Sequence, residues 1–225
     1  LNRGNSAMAL FHIHEAMNYV PTNDLRSEAI VKSYYGVIQI ELGNHIKAVN
    51  AMNRCDSIFR ELNDESLLAF HYNNLGIFHR KNGNIPMAEQ SFFNSLKISR
   101  RLNDSPNIAI TLNQLAKGGG DPSLRRSYIV EAIEINSKLG DSLSLIENYN
   151  NLANIYLQIG LVDSSRHYLL KSGAIAQRMG ANIILSDNYE ICSRLYASTG
   201  QFNEAYEAYR KSVQIKESSK GNYNV

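Results

Sequence analysis

Between Ala69 and Lys81, Tyr72, Leu75, Gly76 and His79 fall at i, i+3, i+4 and i+7, the spacing of one face of an α-helix. Asn73, Ile77, Arg80 and Lys81 follow a similar spacing on a second face. The pattern predicts a helix over 69–81, ended at Asn82-Gly83-Asn84, where glycine can take the left-handed conformation that closes a helix. A second helix is predicted from about Pro86 to Leu102, with proline in the first turn, where a missing N–H costs nothing. Ala88, Phe92, Ser95 and Leu96 line its apolar side. Asn103 supplies another left-handed cap, and Asp104 can cap the helix after it.

The same two-helix text recurs. Gly43, Gly83, Gly120, Gly160 and Gly200 stand 40, 37, 40 and 40 residues apart. A second ladder keeps step through Asn23-Asp24, Asn63-Asp64, Asn103-Asp104 and Gly140-Asp141, followed by Gly180. One supersecondary unit is therefore reused with a period of about 40 residues. Such a unit cannot bury its apolar face alone, so copies must stack into a solenoid. Small residues at Gly36, Gly76, Ala116, Ala153 and Ser193 let paired helices approach, and Met52, Phe92, Ile129, Leu169 and Tyr209 are expected to fill the space between pairs. The expected domain is a single solenoid over 1–225. Residues 1–24 form a half repeat with an Ala9-Leu10-Ile13-Met17 stripe. Repeats follow at 25–64, 65–104, 105–141, 142–181 and 182–220, and 221–225 is a tail. The expected fold is all-α, with about eleven helices and no strand.

An aromatic residue, Leu-Gly three residues on, then a Tyr-type position, Gly, Ala-x3-Phe and a small residue resembles the tetratricopeptide repeat. The resemblance extends over nearly the whole chain in five registers and implies a right-handed superhelix of helix pairs. Two features depart from that family. The period is 40 rather than roughly 34, and the late proline is replaced by Arg60, Arg100, Ser137, Gln177 and Glu217. The second helices should therefore run on to Leu62, Leu102, Leu139 and Met179. Long copies with an Asn-Leu-Gly core resemble those of peptide-responsive bacterial regulators and Leu-Gly-Asn adaptor proteins.

In tetratricopeptide repeats the first helices line a concave groove. The resemblance then points Ile30, Ser33, Val37, Ile40, Phe70, Asn73, Ile77, Arg80, Lys81, Ile110, Asn113 and Lys117 into it. Glu147, Asn150, Asn154, Gln158, Asp187, Glu190 and Arg194 follow. Asn73, Asn113 and Asn150 share one repeat position, and an asparagine amide can pair with both groups of a peptide bond. They are candidates to hold the main chain of an extended peptide, unless one member of each amide pair with Asn74, Gln114 and Asn151 is structural. The groove would run from apolar (Ile30, Val37, Phe70, Ile77) through basic (Arg80, Lys81, Lys117) to acidic (Glu147, Asp187, Glu190), which would orient a polar ligand.

The third repeat is short. Ala116-Lys117-Gly118-Gly119-Gly120-Asp121-Pro122 has lost about three residues, and its glycines suit a flexible connection. A phosphate-cradling loop is disfavoured, because no strand precedes it and no Lys-Ser/Thr pair follows. Arg125 stands where Ala48, Ala88 and Ala205 stand elsewhere.

Composition narrows the classes. A net charge of +2 argues against a nucleic-acid footprint, which needs a concentrated basic stripe. No run is long enough to span a membrane, and no signal peptide is visible. The two cysteines, Cys55 and Cys192, read as free thiols at packing positions. His12 and His14 point to different helix faces, a poor geometry for a shared metal. No spacing suggests a Ser-His-acid or Cys-His pair, so no catalytic residue, metal or cofactor is assigned. The tyrosines read as packing, not as a base-stacking platform. A chain that opens inside a repeat without Met reads as a cytoplasmic or periplasmic portion of a larger protein. The readings that stand are a peptide- or protein-binding sensor region of a bacterial signal-transduction or transcriptional regulator, or a passive scaffold for assembly. Homo-oligomerisation is compatible with both.

Overall fold

The computed structural model describes residues 3–221, and every regular element among them is a helix. In chain order these are α1 (Arg3–Tyr19), α2 (Leu25–Glu41), α3 (His45–Leu62), α4 (Glu65–Lys81), α5 (Ile85–Arg101) and α6 (Ser105–Ala116). They continue with α7 (Pro122–Leu139), α8 (Ser142–Gln158), α9 (Val162–Met179), α10 (Asn182–Ser198) and α11 (Phe202–Gly221). The architecture is an all-α solenoid of helix pairs. Residues 222–225 of the expected tail lie outside the described residues, while Gly221 closes α11 instead of opening a tail.

Local chemistry explains the boundaries. The carboxylates of Asp24, Asp64 and Asp141 accept from the N–H groups of Ser27, Leu67 and Ser144 at 3.0, 3.1 and 3.0 Å, satisfying donors that the first turn leaves unpaired. Asn63 and Asn103 close α3 and α5 at φ 49 and 54, a conformation that asparagine tolerates better than most non-glycine residues. Without the late proline, the second helices reach Leu62, Arg101, Leu139 and Met179.

The chain divides into two compact units between Gln114 and Leu115, inside α6. In the N-terminal unit α2 pairs with α3 and α4 with α5, and α1 packs on α2. A Cβ on Gly76 would sit 2.5 Å from the Phe92 ring, and one on Gly36 would sit 3.0 Å from Met52. These two positions need glycine because a large side chain of the second helix is seated directly on the first. In the C-terminal unit α8 pairs with α9 and α10 with α11. Leu169 is buried with Ala153 of α8 and with Ile191 and Leu195 of α10. Tyr209 differs from the expectation. It is 56% exposed, because the side of α11 equivalent to the one where α9 meets α10 is not covered by any described helix.

One hydrogen bond marks the repeat. Cys55 Sγ, Ser95 Oγ and Ser172 Oγ donate to the carbonyls of Ala29, Ala69 and Ile146 at 3.2, 2.8 and 3.2 Å. Each bond spans 26 residues and ties a second helix to its own first helix. The third repeat places Ala132 there and cannot make it. Its α6 stops at Ala116, and the Arg125 side chain takes up the lost turn. Arg125 Nε donates to the Ala116 carbonyl at 2.9 Å and Nη1 to Gln158 Oε1 at 2.9 Å.

Candidate functional site

The first helices carry the residues expected to face a ligand, and the two units treat them differently. In the N-terminal unit Asn73 and Asn113 are 7% and 6% exposed. Arg80 donates to the Gln114 carbonyl at 3.0 Å and to its side-chain Oε1. Its guanidinium also lies 5.3 Å from the Phe92 ring centroid. Lys81 pairs with Glu41 across α4 and α2. Ile77 is half-buried on the same helix. The basic residues expected to await an acidic ligand are thus engaged within their own unit.

In the C-terminal unit Asn150 is 3% exposed, and both atoms of its amide are engaged. Oδ1 accepts from Ser172 Oγ at 2.6 Å and from Asn188 Nδ2 at 2.9 Å, while Nδ2 donates to the Ile184 carbonyl at 3.3 Å. In the N-terminal unit Asn74, next to Asn73, donates to Ser33 Oγ at 3.1 Å. The Asn73, Asn113 and Asn150 position is turned toward neighbouring helices, which differs from the exposed amide ladder expected from the repeat register. A helical face read from one period spans a wide arc, and its edge is buried when another helix packs beside it.

The remaining residues form an accessible polar face on α8 and α10. Lys117 pairs with Glu147, and Arg194 Nη1 donates to Asn154 Oδ1 at 3.1 Å. Gln158 is held by Arg125. Lys216 of α11 reaches Glu190 at 2.7 Å. Asp187 is exposed and makes no hydrogen bond or ion pair with a described residue. Desolvation by the surrounding protein raises its carboxyl above the ordinary value. Lys216 opposes this, Glu190 and Glu147 reinforce it, and Lys117 opposes it. A solvent-reachable carboxylate that is nonetheless partly desolvated is a ready acceptor for a cationic group.

A second feature was not read from the sequence, a row of buried polar residues at one repeat position. His71, Thr111, Asn148 and Asn188 are 0%, 0%, 0% and 4% exposed. Thr111 meets Ser95 Oγ at 3.1 Å, and Asn188 donates to the Leu169 carbonyl at 2.9 Å as well as to Asn150. Neither ring nitrogen of His71 and neither amide atom of Asn148 has a hydrogen-bond partner. Burial pushes His71 down to about 4, opposed by Asp56, whose Oδ1 lies 3.7 Å from Nε2, and assisted by Arg60. The common spacing of these four was available in the sequence, but their differing chemistry hid it.

Cys55 and Cys192 are free, and burial pushes their thiols up to about 12 and about 11, which keeps them in the unreactive protonated form. No described helix is long and apolar enough to cross a membrane. Among the described residues no group of three or more His, Cys, Asp or Glu could hold a metal ion.

These helix pairs define an α-solenoid repeat protein, and comparison with known proteins agrees. Residues 189–219, the end of α10 and most of α11, match the tetratricopeptide repeat model. The crystal structure of BtubC (BKLC) from P. vanneervenii is similar to this chain at 19% identity, with a TM-score of 0.71, covering 98% of this chain and 91% of that one. At that identity the likeness speaks to the fold. No curated protein matches the chain in sequence.

Proposed function

We propose that the chain is a protein- or peptide-binding module, not an enzyme, and that the α8–α10 face of its C-terminal unit takes a cationic group of its partner. The observation that carries this reading is Asp187, an accessible carboxylate set among the engaged pairs Lys117–Glu147 and Lys216–Glu190. Those pairs neutralise each other, so Asp187 is the carboxylate of this face left without an ion pair among the described residues. A lysine or arginine side chain, or a chain amino terminus, complements it. We further propose that the module is the sensing or interaction region of a bacterial signal-transduction or transcriptional regulator. The long 40-residue copies support this, because they resemble the repeats of peptide-responsive regulators. In this reading an extended peptide runs along the first helices, and Glu147, Asn154, Gln158, Glu190 and Arg194 form its polar walls.

The test is capture of partners on the immobilised folded chain, identification by mass spectrometry, and measurement of each affinity again with Asp187→Asn. An exposed ion pair contributes about 0.2–1 kcal/mol, so the variant should bind about two- to fivefold more weakly in low salt. The difference should shrink as salt is added. Because the carboxyl is raised, binding should also strengthen as pH rises through its titration. Unchanged affinity in Asp187→Asn combined with Glu190→Gln would place the ligand elsewhere.

A further inference from the structure

A groove of about 470 Å³ runs between α9 and α11, floored by α10, within the range of roughly 300–1,000 Å³ usual for ligand pockets. It belongs to neither the α8–α10 face nor its charges. One residue of its lining stands out. The repeated hydrogen bonds of Cys55, Ser95 and Ser172 set the register of the second helices. The position after them reads Asp56, Leu96, Ile133, Gly173 and Val213 along the chain. Leu96 is buried, and Ile133 packs against the cluster of Ile129, Leu152 and Ile155. Only at Gly173 is the side chain missing, in the middle of α9, where glycine weakens a helix.

Nothing in the fold requires that glycine. Its φ is not in the left-handed region, and an added Cβ would come no closer than 3.4 Å to its nearest neighbour, Asn188 Oδ1. The position is therefore unlike Gly76, where a Cβ would enter the Phe92 ring. The notch left by Gly173 is apolar on its sides, with Leu169, Ala174 and Ala208. At its base sits Asn188, 4% exposed. Both amide hydrogens of Asn188 are spent, on Asn150 and on the Leu169 carbonyl. Its Oδ1 has only the weak Cys192 thiol, at 3.7 Å, and retains acceptor capacity.

The rim carries charges of both signs. Arg166 and Lys211 are drawn over the rings of Tyr196 and Tyr189, at 5.8 and 5.5 Å from the centroids. Glu204, on the α11 wall, has no ion pair among the described residues. Glu207, the other carboxylate of the rim, is paired with Arg210, which leaves Glu204 as the rim's open anionic contact.

We propose that this groove is a second binding site, which takes a branched aliphatic side chain of a partner peptide, with an adjacent basic residue on Glu204. The aliphatic side chain occupies the space that Leu96 and Ile133 fill in the second and third repeats, and an N–H of the peptide donates to Asn188 Oδ1.

The probe is an acetylated, amidated peptide with a single leucine and a single lysine in an alanine–serine host, titrated into the 15N-labelled chain. Saturable shifts should be confined to residues 169–177, 188–196 and 204–211. Replacing the peptide's leucine with alanine should weaken binding about tenfold or more, as the loss of a buried leucine predicts. Gly173→Leu should fold with a Tm no lower than that of the parent and lose binding to the same extent. Glu204→Gln should weaken binding a few-fold at low salt. Asp187→Asn should leave it unchanged, which separates this site from the α8–α10 face. Absence of saturable shifts, shifts located elsewhere, or unaltered affinity in a folded Gly173→Leu variant would overturn the proposal. Should Gly173→Leu fail to fold, the peptide pair decides, and equal binding of the leucine and alanine peptides overturns it.

Discussion

The N-terminal and C-terminal units build the same helix pair and share one interhelix hydrogen bond, from Ser95 to the Ala69 carbonyl in the former and from Ser172 to the Ile146 carbonyl in the latter. They differ in what else closes the seam. In the former, Phe92 is pressed onto Gly76 and Met52 onto Gly36, so shape complementarity joins the two helices. In the latter, Leu169 lies against Ala153, and the seam is completed by the Asn150–Ser172–Asn188 hydrogen bonds. Tyr168 is stacked between Tyr149 and Tyr156, with both centroids at 5.7 Å. Apolar interlocking tolerates no added atom, whereas a polar seam tolerates space but no lost partner. The same template can therefore yield a closed joint or one with room beside it, and the groove at Gly173 occurs in the unit with the polar seam.

The sharpest way to break this comparison is at the aromatic joint. Phe92→Ala should cost about 3–5 kcal/mol, because a fully buried ring leaves a cavity. Gly76→Ala should also destabilise, by about 1–3 kcal/mol through overpacking, despite alanine's better helix propensity. Urea denaturation followed at native-state amides of α4 and α5 would read both. Gly76→Ala stability equal to the parent's would show that the joint is not close-packed.

The next effect is titratable and belongs to the N-terminal unit. His71 is held neutral by burial, at about 4, whereas an unfolded histidine titrates near 6.5. Below about pH 6.5 the unfolded chain takes up a proton that the folded one refuses. Stability is thus complete above that pH and falls as pH drops toward about 4, by about 3 kcal/mol in all. His71→Leu should flatten this acid limb in hydrogen exchange of α4. Asn148, at the equivalent place on α8, carries no titrating group, so α8 should not follow. An unchanged acid limb in His71→Leu would assign the proton to other groups.

The smallest contrast lies within the asparagine series. Asn150→Ala should cost about 2 kcal/mol, because Asn188, Ser172 and the Ile184 carbonyl lose a partner in the interior. Asn73→Ala should cost less, under about 1 kcal/mol, since Asn73 Oδ1 has no hydrogen-bond partner to lose. Chemical denaturation of the two variants side by side is the measurement. Equal costs would mean that the polar seam is no stronger in one unit than in the other.

Much of the helix map was legible because its signals are local. A glycine or asparagine in the left-handed region, an aspartate accepting from an N–H three residues on and a 3.6-residue apolar stripe act within a single turn, so the chain carries them in order. The site was less legible. Arg80, Lys81, Lys117 and Arg194 stand on helix faces compatible with ligand contact. Their actual partners, Gln114, Glu41, Glu147 and Asn154, lie 30 to 40 residues away. Arg125 likewise became intelligible only as the replacement for the turn missing after Ala116.

By itself, then, the sequence determined the period, the helix boundaries and caps, and which helices pair, since each follows from short-range sterics and hydrogen bonding repeated every 37 to 40 residues. Only the tertiary structure decided that Asn150 is spent on its neighbours and Asp187 is not, that Tyr209 is exposed while Leu169 is buried, and that Gly173 lines a groove while Gly76 closes a joint. Those outcomes depend on what a neighbouring helix presents at the point of contact, and identical spacing along one helix is compatible with either.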